Sequence, residues 1–113
     1  MTPEKRFENK VKEYLQEMNC WTLKTWSNGV QRKGVPDLLV SCNGYFLGVE
    51  LKADHGRAKD LQKWNVKKIR ESGGIAIVLY PEQFEAFKKL VGQLKDDRLK
   101  AATVSQHVFD LKG

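Results

Sequence analysis

Asp37, Glu50 and Lys52 are the residues of this chain whose types and spacing can do chemistry. They stand in Gly34-Val35-Pro36-Asp37-Leu38-Leu39-Val40, then Ser41-Cys42-Asn43-Gly44, then Tyr45-Phe46-Leu47-Gly48-Val49-Glu50-Leu51-Lys52. Two apolar segments flank a tight Asn-Gly turn, and each carries charge where core residues are expected. A buried charge costs several kcal/mol unless it is paired or holds a metal. An acid, then an acid and a lysine two residues apart, is the donor set of a divalent-metal phosphodiesterase. Hydrolysis of a phosphodiester needs a positioned water, neutralised phosphate charge and an in-line leaving group. Mg²⁺ suits all three, because it takes oxygen ligands octahedrally and keeps several waters. Asp37 and Glu50 can hold it, and the carbonyl of Leu51, between the two active side chains, is a third ligand. Lys52 can orient and help deprotonate the attacking water, or stabilise developing negative charge.

These residues must be positioned by strands. Asp37–Ser41 and Tyr45–Lys52 read as strands joined by Cys42-Asn43-Gly44, whose Asn-Gly pair favours a type I′ hairpin. Period-2 alternation puts Asp37, Leu39 and Ser41 on one face, and Phe46, Gly48, Glu50 and Lys52 on one face. Antiparallel pairing then brings Asp37 to the Glu50/Lys52 end. Upstream, Thr2-Pro3-Glu4 starts a helix. Its stripe of Phe7, Val11, Tyr14, Leu15 and Met18 packs inward until about Asn19, with Glu4 and Glu8 on the margin. Trp21–Ser27 alternates as a further strand, and Asn28–Pro36 is a basic loop entering the hairpin.

Downstream, Asp54–Arg57 is a polar loop and Ala58 to about Ser72 a helix. One stripe holds Ala58, Leu61, Val66 and Ile69, with Gln62 falling inside it and pointing toward the protein. Lys59, Lys63, Lys67 and Arg70 form another. Gly73-Gly74 ends the helix. Ile75–Tyr80 is a continuous apolar run expected to be buried on both faces. Pro81 opens a last helix to about Leu94, with Phe84, Phe87, Leu90 and Val91 inward. Thr103–Leu111 can form one more strand. The order predicts an α/β fold: a mixed sheet with an antiparallel hairpin and a crossover strand, covered by helices on both faces.

The chain has 113 residues, the size of a single domain. No apolar run is long enough for a bilayer, and the N-terminus lacks a signal-peptide core. Cys20 and Cys42 make no disulfide framework, so a reduced cytoplasm is expected. Cys20 reads as an apolar residue at a helix-to-strand junction. The net charge is +6, and most of the excess falls in residues 52–70. There Lys52, Arg57, Lys59, Lys63, Lys67, Lys68 and Arg70 face only Asp54 and Asp60. Such a cluster suits a polyanion, with binding that weakens as salt rises; a solvated helix face is the bland alternative.

Gly34-Val35-Pro36-Asp37, then Val49-Glu50-Leu51-Lys52, then Gln62 in the following helix, resemble the PD-(D/E)XK nuclease superfamily. Within it the chain resembles the VRR-NUC family and the Holliday junction resolvases. The resemblance covers residues 4 to about 91. It implies a restriction-endonuclease-like αβββαβ core, here about residues 4–94 of a single domain, with 95–113 as a C-terminal extension. It implies a Mg²⁺- or Mn²⁺-dependent DNA endonuclease with Asp37 and Glu50 as metal ligands and Lys52 as the catalytic lysine. Glu8 becomes an additional acid near the metal, with Glu4 as the competing choice, and Gln62 holds a water or phosphate near the ion. Small members of this kind resemble phage-encoded or bacterial proteins acting as homodimers on branched DNA, which places them in a cytoplasm, the host's where phage-encoded.

Arg32, Lys33, Arg57, Lys59, Lys63 and Lys67 are the residues expected to hold backbone phosphates. A chain this short is expected to read DNA shape, a four-way junction first, rather than sequence. Two symmetric cuts would require a two-fold dimer. A nucleic-acid-binding module that does not cleave, and a flap nuclease or exonuclease on the same chemistry, stand as alternatives. Glu8 and Gln62 each compete with an ordinary helix polar residue, and Glu50/Lys52 with an exposed ion pair on an edge strand. His55 and His107 read as loop and surface residues. Trp21, Trp26 and Trp64 read as core, with Trp64 the exception to watch because it lies off the apolar stripe.

Overall fold

Thr2 stops the chain from fraying ahead of the first helix. Its backbone is extended and its hydroxyl accepts from the Lys5 amide at 3.1 Å, with Pro3 at the first helical position. The structure, a computed structural model, describes residues 1–26 and 33–96. Helix α1 runs over Pro3–Glu17 and buries Phe7, Val11 and Leu15. Asn19 (φ 58°) then takes the left-handed position usually filled by glycine, and the Cys20 amide returns to Leu15 O at 2.9 Å. Strands β1 (Trp21–Lys24), β2 (Leu38–Cys42) and β3 (Tyr45–Leu51) follow. Helix α2 (Asp60–Glu71), strand β4 (Ile75–Leu79), a 3₁₀ turn at Pro81–Gln83 and helix α3 (Phe84–Asp96) complete the described order.

The sheet order is β1-β2-β3-β4. The first two pairings are antiparallel, and β3 pairs parallel with β4 through the α2 crossover. Asn43 (φ 51°) and Gly44 (φ 86°) are both left-handed, as a type I′ hairpin requires. One sheet face, made of Leu38, Val40, Cys42, Leu47, Val49 and Leu51, packs against α1 and α3 as the main core. Phe7 and Phe84 meet there edge to face, with centroids 6.4 Å apart. On the opposite face α2 covers the β3–β4 half. Gly48 allows this closeness: a methyl there would stand 3.0 Å from Pro36 and 3.1 Å from Ile69.

Several expectations are corrected. Strand β1 ends at Lys24 rather than Ser27, although Thr25 still pairs its amide with Asp37 O at 2.8 Å. Asp37 precedes β2 and Lys52 follows β3. Helix α2 starts at Asp60, and its inward stripe is Gln62, Asn65, Val66 and Ile69; Leu61 is exposed. The run Ile75–Leu79 is an edge strand with half-buried residues, because no described strand lies beyond it. Trp21, Trp26 and Trp64 are exposed rather than core. Trp21 and Leu23 pair across to Ser41 and Leu39, on the sheet face that α2 leaves open. Arg32, His107 and the expected strand Thr103–Leu111 lie outside the described residues. Among the described residues no helix is long and apolar enough to cross a membrane.

Gly34 joins the basic loop to α2. It sits at φ +78°, and an added methyl would lie 2.6 Å from Leu61 Cγ and 2.9 Å from the Leu61 backbone carbon. Gly34→Ala is therefore expected to lower stability by roughly 2 kcal/mol. Urea unfolding checks this, and a loss below about 0.5 kcal/mol, the range of an indifferent surface change, would contradict the packing.

Candidate active site

Asp37 is fixed from both sides of its own backbone. Its carbonyl accepts from the Thr25 amide at 2.8 Å, and Thr25 Oγ1 donates to the neighbouring Pro36 O at 2.8 Å. Its carboxylate Oδ2 accepts from the Leu51 amide at 2.8 Å, which binds the start of β2 to the end of β3. The pairing of Leu38 with Val49 continues to Asp37 opposite Glu50, so both acids project from one face at one end of the sheet.

Glu50 is only 2% exposed, which removes the surface ion-pair reading. Its Oε2 accepts from Gln62 Nε2 at 2.9 Å and lies 3.4 Å from Lys52 Nζ. Its Oε1 is buried and has no hydrogen-bond partner among the described residues. Burial, reinforced by the charge of Asp37, pushes the Glu50 carboxyl up to about 7, against the pull of Lys52. Two facing carboxylates, one of them with an orphaned buried oxygen, form a donor set that fits a divalent cation. Leu51 contributes its amide to Asp37.

Gln62 is held by the first turn of α2. Its Oε1 accepts from the Lys59 amide at 2.8 Å, so the amide group cannot turn away from Glu50. Lys52 is largely shielded. The loop beyond it is tied down where Tyr80 Oη donates to Gly56 O at 2.7 Å.

Glu8 sits at the margin of this group in different company. It is buried on α1 and ringed by three lysines: Lys24 at 2.6 Å, Lys5 at 2.7 Å and Lys12 at 3.6 Å. Burial pushes its carboxyl up, but hydrogen bonds from Lys24 and Lys5 outweigh this and hold it down at about 2. Among the described residues no three acid, cysteine or histidine side chains gather as a metal cluster. The described chain thus brings Asp37, Glu50, Lys52 and Gln62 together, with Glu8 reaching the group only through Lys24. Glu4 is exposed.

Lys24 is the residue that sequence reading missed. Its Nζ lies 2.6 Å from Glu8 Oε1 and 3.9 Å from Asp37 Oδ1. The alternation of Trp21-Thr22-Leu23-Lys24 sets the lysine on the face opposite the two apolar residues; it is the pairing of Lys24 with Leu38 that turns that face toward the core.

Lys33, Arg57, Lys59, Lys63 and Lys67 are all exposed. Lys63, Lys67 and Arg70 line a groove between α2 and the β4 edge, floored by Val66 and Val78. Lys67 and Glu71 are 3.9 Å apart, a surface pair worth little in water. The expected phosphate-binding set, Arg32 aside, is therefore displayed to solvent.

No family model matches the sequence, and no curated protein matches it. Among solved structures the chain is similar to Hjc, a Holliday junction resolvase from the archaeal hyperthermophile Archaeoglobus fulgidus. The TM-score is 0.51 at 22% identity, covering 67% of this chain and 67% of that one. The likeness carries the fold: a mixed four-stranded sheet with flanking helices, of the restriction-endonuclease-like kind.

Proposed function

We propose that this chain is a divalent-metal-dependent, structure-selective DNA endonuclease of the PD-(D/E)XK type, close to VRR-NUC proteins, with four-way junctions as its substrate. The observation that carries the reading is Glu50: a buried carboxylate, one oxygen without a partner among the described residues, facing Asp37 and flanked by Lys52 and Gln62. A fold shared with a Holliday junction resolvase supports it.

Mg²⁺ or Mn²⁺, when bound, supplies Lewis-acid polarisation of the phosphate and lowers the pKa of water. Asp37, Glu50 and the Leu51 carbonyl are the groups that would hold the ion, with Glu8 as a further acid. Lys52 would orient the attacking water with its ammonium and balance the charge that grows on the phosphate. Gln62 keeps Glu50 in position and offers its amide to a water or phosphate oxygen. Lys33, Arg57, Lys59, Lys63 and Lys67, with Arg32, hold the backbone on either side of the cut.

Cutting two strands symmetrically calls for a homodimer. The open sheet face bearing Trp21, 64% exposed, with Leu23 and Phe46, is an apolar surface suited to a second copy. The free thiols are compatible with a reduced cytoplasm, a host's if the chain is phage-encoded.

The test is incubation of four-way junction, flap, nicked and linear duplex with Mg²⁺, beside the Asp37→Asn variant. Junction cutting is expected to dominate and to vanish in the variant. Equal cutting of all four substrates overturns the selectivity. Binding with no cutting under Mg²⁺ or Mn²⁺ turns the chain into a nucleic-acid-binding module.

A further inference from the structure

Lys24 stands where a cation is useful to two acids at once. Its ammonium is 2.6 Å from Glu8 and 3.9 Å from Asp37, on a side chain that is only 23% exposed. Glu8 does not need it for neutrality, because Lys5 lies at 2.7 Å and Lys12 at 3.6 Å. Strand β1 nevertheless aims Lys24 inward, past Glu8, to the rim of the Asp37–Glu50 pair. A divalent ion at that pair would put like charges a few ångströms apart with little water between them, where repulsion is strong. Lysine and ion cannot both sit at Asp37 without loss to one of them.

We propose that Lys24 is a built-in competitor for the divalent metal, occupying the cation position between Glu8 and Asp37 and leaving it when the metal binds. This rests on the metal-site reading above. It adds an order of events to it: Lys24 withdraws from Asp37 and from Glu8 Oε1 as the metal arrives, while Lys5 keeps its place on Glu8 Oε2. Lys24 is a positioning residue in this scheme, since it touches the ligands and not the phosphate. The stem of the side chain is long enough for the ammonium to swing out toward solvent while its methylenes stay against α1.

Isothermal titration with Mn²⁺ alone, without DNA, tests the idea on the wild-type chain and on Lys24→Met, Lys24→Arg and Asp37→Asn. Lys24→Met keeps the length of the side chain and is expected to bind Mn²⁺ about tenfold more tightly; Lys24→Arg is expected to stay near wild type. Equal or weaker binding by Lys24→Met overturns the proposal while leaving the metal site standing. Absence of an Asp37-dependent site in the wild-type chain overturns the metal reading itself and this inference with it. Should Lys24→Met lose its fold by circular dichroism, Lys24→Gln takes its place in the titration. A melting-temperature rise with Mn²⁺ that is larger in the variant than in wild type is then required as well.

Discussion

Lys52→Ala is expected to keep its metal and lose its cut, with Mg²⁺-dependent cleavage falling by ~10²–10⁴-fold. Lys52 Nζ lies 3.4 Å from Glu50 Oε2 but donates to neither Asp37 nor the Leu51 backbone in the described contacts. On the proposed mechanism, removing it takes away the group that handles the water and the charge on the phosphate. The carboxylates remain, and Glu50 gains a stronger need for a cation, since the lysine that pulled its carboxyl down is gone. Glu50→Gln should behave differently. It keeps the shape and can still bond to Gln62, yet presents one anionic group fewer to the ion, so binding and cleavage fall together. Single-turnover cleavage at saturating DNA, paired with Mn²⁺ titration, separates the two variants. If Lys52→Ala loses metal affinity as fully as Glu50→Gln does, its role is to shape the site and not to act on the water.

Ionisation of Glu50 should make the metal-free protein less stable in mildly alkaline solution than in mildly acidic solution. Burial and the charge of Asp37 push its carboxyl from 4.5 up to about 7 in the folded chain. The folded state therefore holds the proton more tightly than the unfolded state. The resulting stability is present in full below pH 4.5 and is lost as pH rises toward 7 and slightly beyond. Its size is of the order of 3 kcal/mol. Glu8 does not confuse this window: its carboxyl is held down at about 2, so its contribution fades only in acid, below the unfolded value of 4.5. Melting curves at pH 5 and pH 8 should show the wild-type chain weakened at the higher pH. Mn²⁺ should restore it there, and Glu50→Gln should show neither the loss nor the rescue. A wild-type melting temperature that is flat between those values would mean that water reaches Glu50 freely.

The hairpin and its charges were legible because three independent signals agree on them. Asn43-Gly44 fixes the turn, alternation fixes the faces, and Pro36 marks the entry. Gln62 was legible because a helix stripe at 62, 65, 66 and 69 turns it inward, even though Leu61 was wrongly added to that stripe. Trp64 was marked by lying off the apolar stripe of its helix and is exposed, but Trp21 was not legible. Aromatic residues in short alternating strands are assigned to the core unless the reader knows which sheet face lacks a helix, and that is decided by where α2 settles. For the same reason β4 read as fully buried: an apolar run does not say whether another strand lies beyond it. The place of Glu8 on α1 and its neighbours Lys5 and Lys12 on the same helix face were legible, whereas its ion pair with Lys24 depends on how α1 crosses β1, which local pattern does not encode. Lys24 was overlooked because a lysine in a strand is ordinarily counted as a solvent-facing position.

The short segment from Lys33 to Asp37 is anchored along its whole length. Asn65 Nδ2 donates to Lys33 O at 3.3 Å, Gly34 abuts Leu61, Pro36 lies against Gly48 and accepts from Thr25, and Asp37 accepts from Leu51. Taken together these anchors make the segment a template of fixed length. A phosphate gripped at its exposed end is set at one offset from the acid at its other end. Under the proposed nuclease function, such a template would make the distance between a held phosphate and the cut a fixed quantity, set by the protein and not by the DNA.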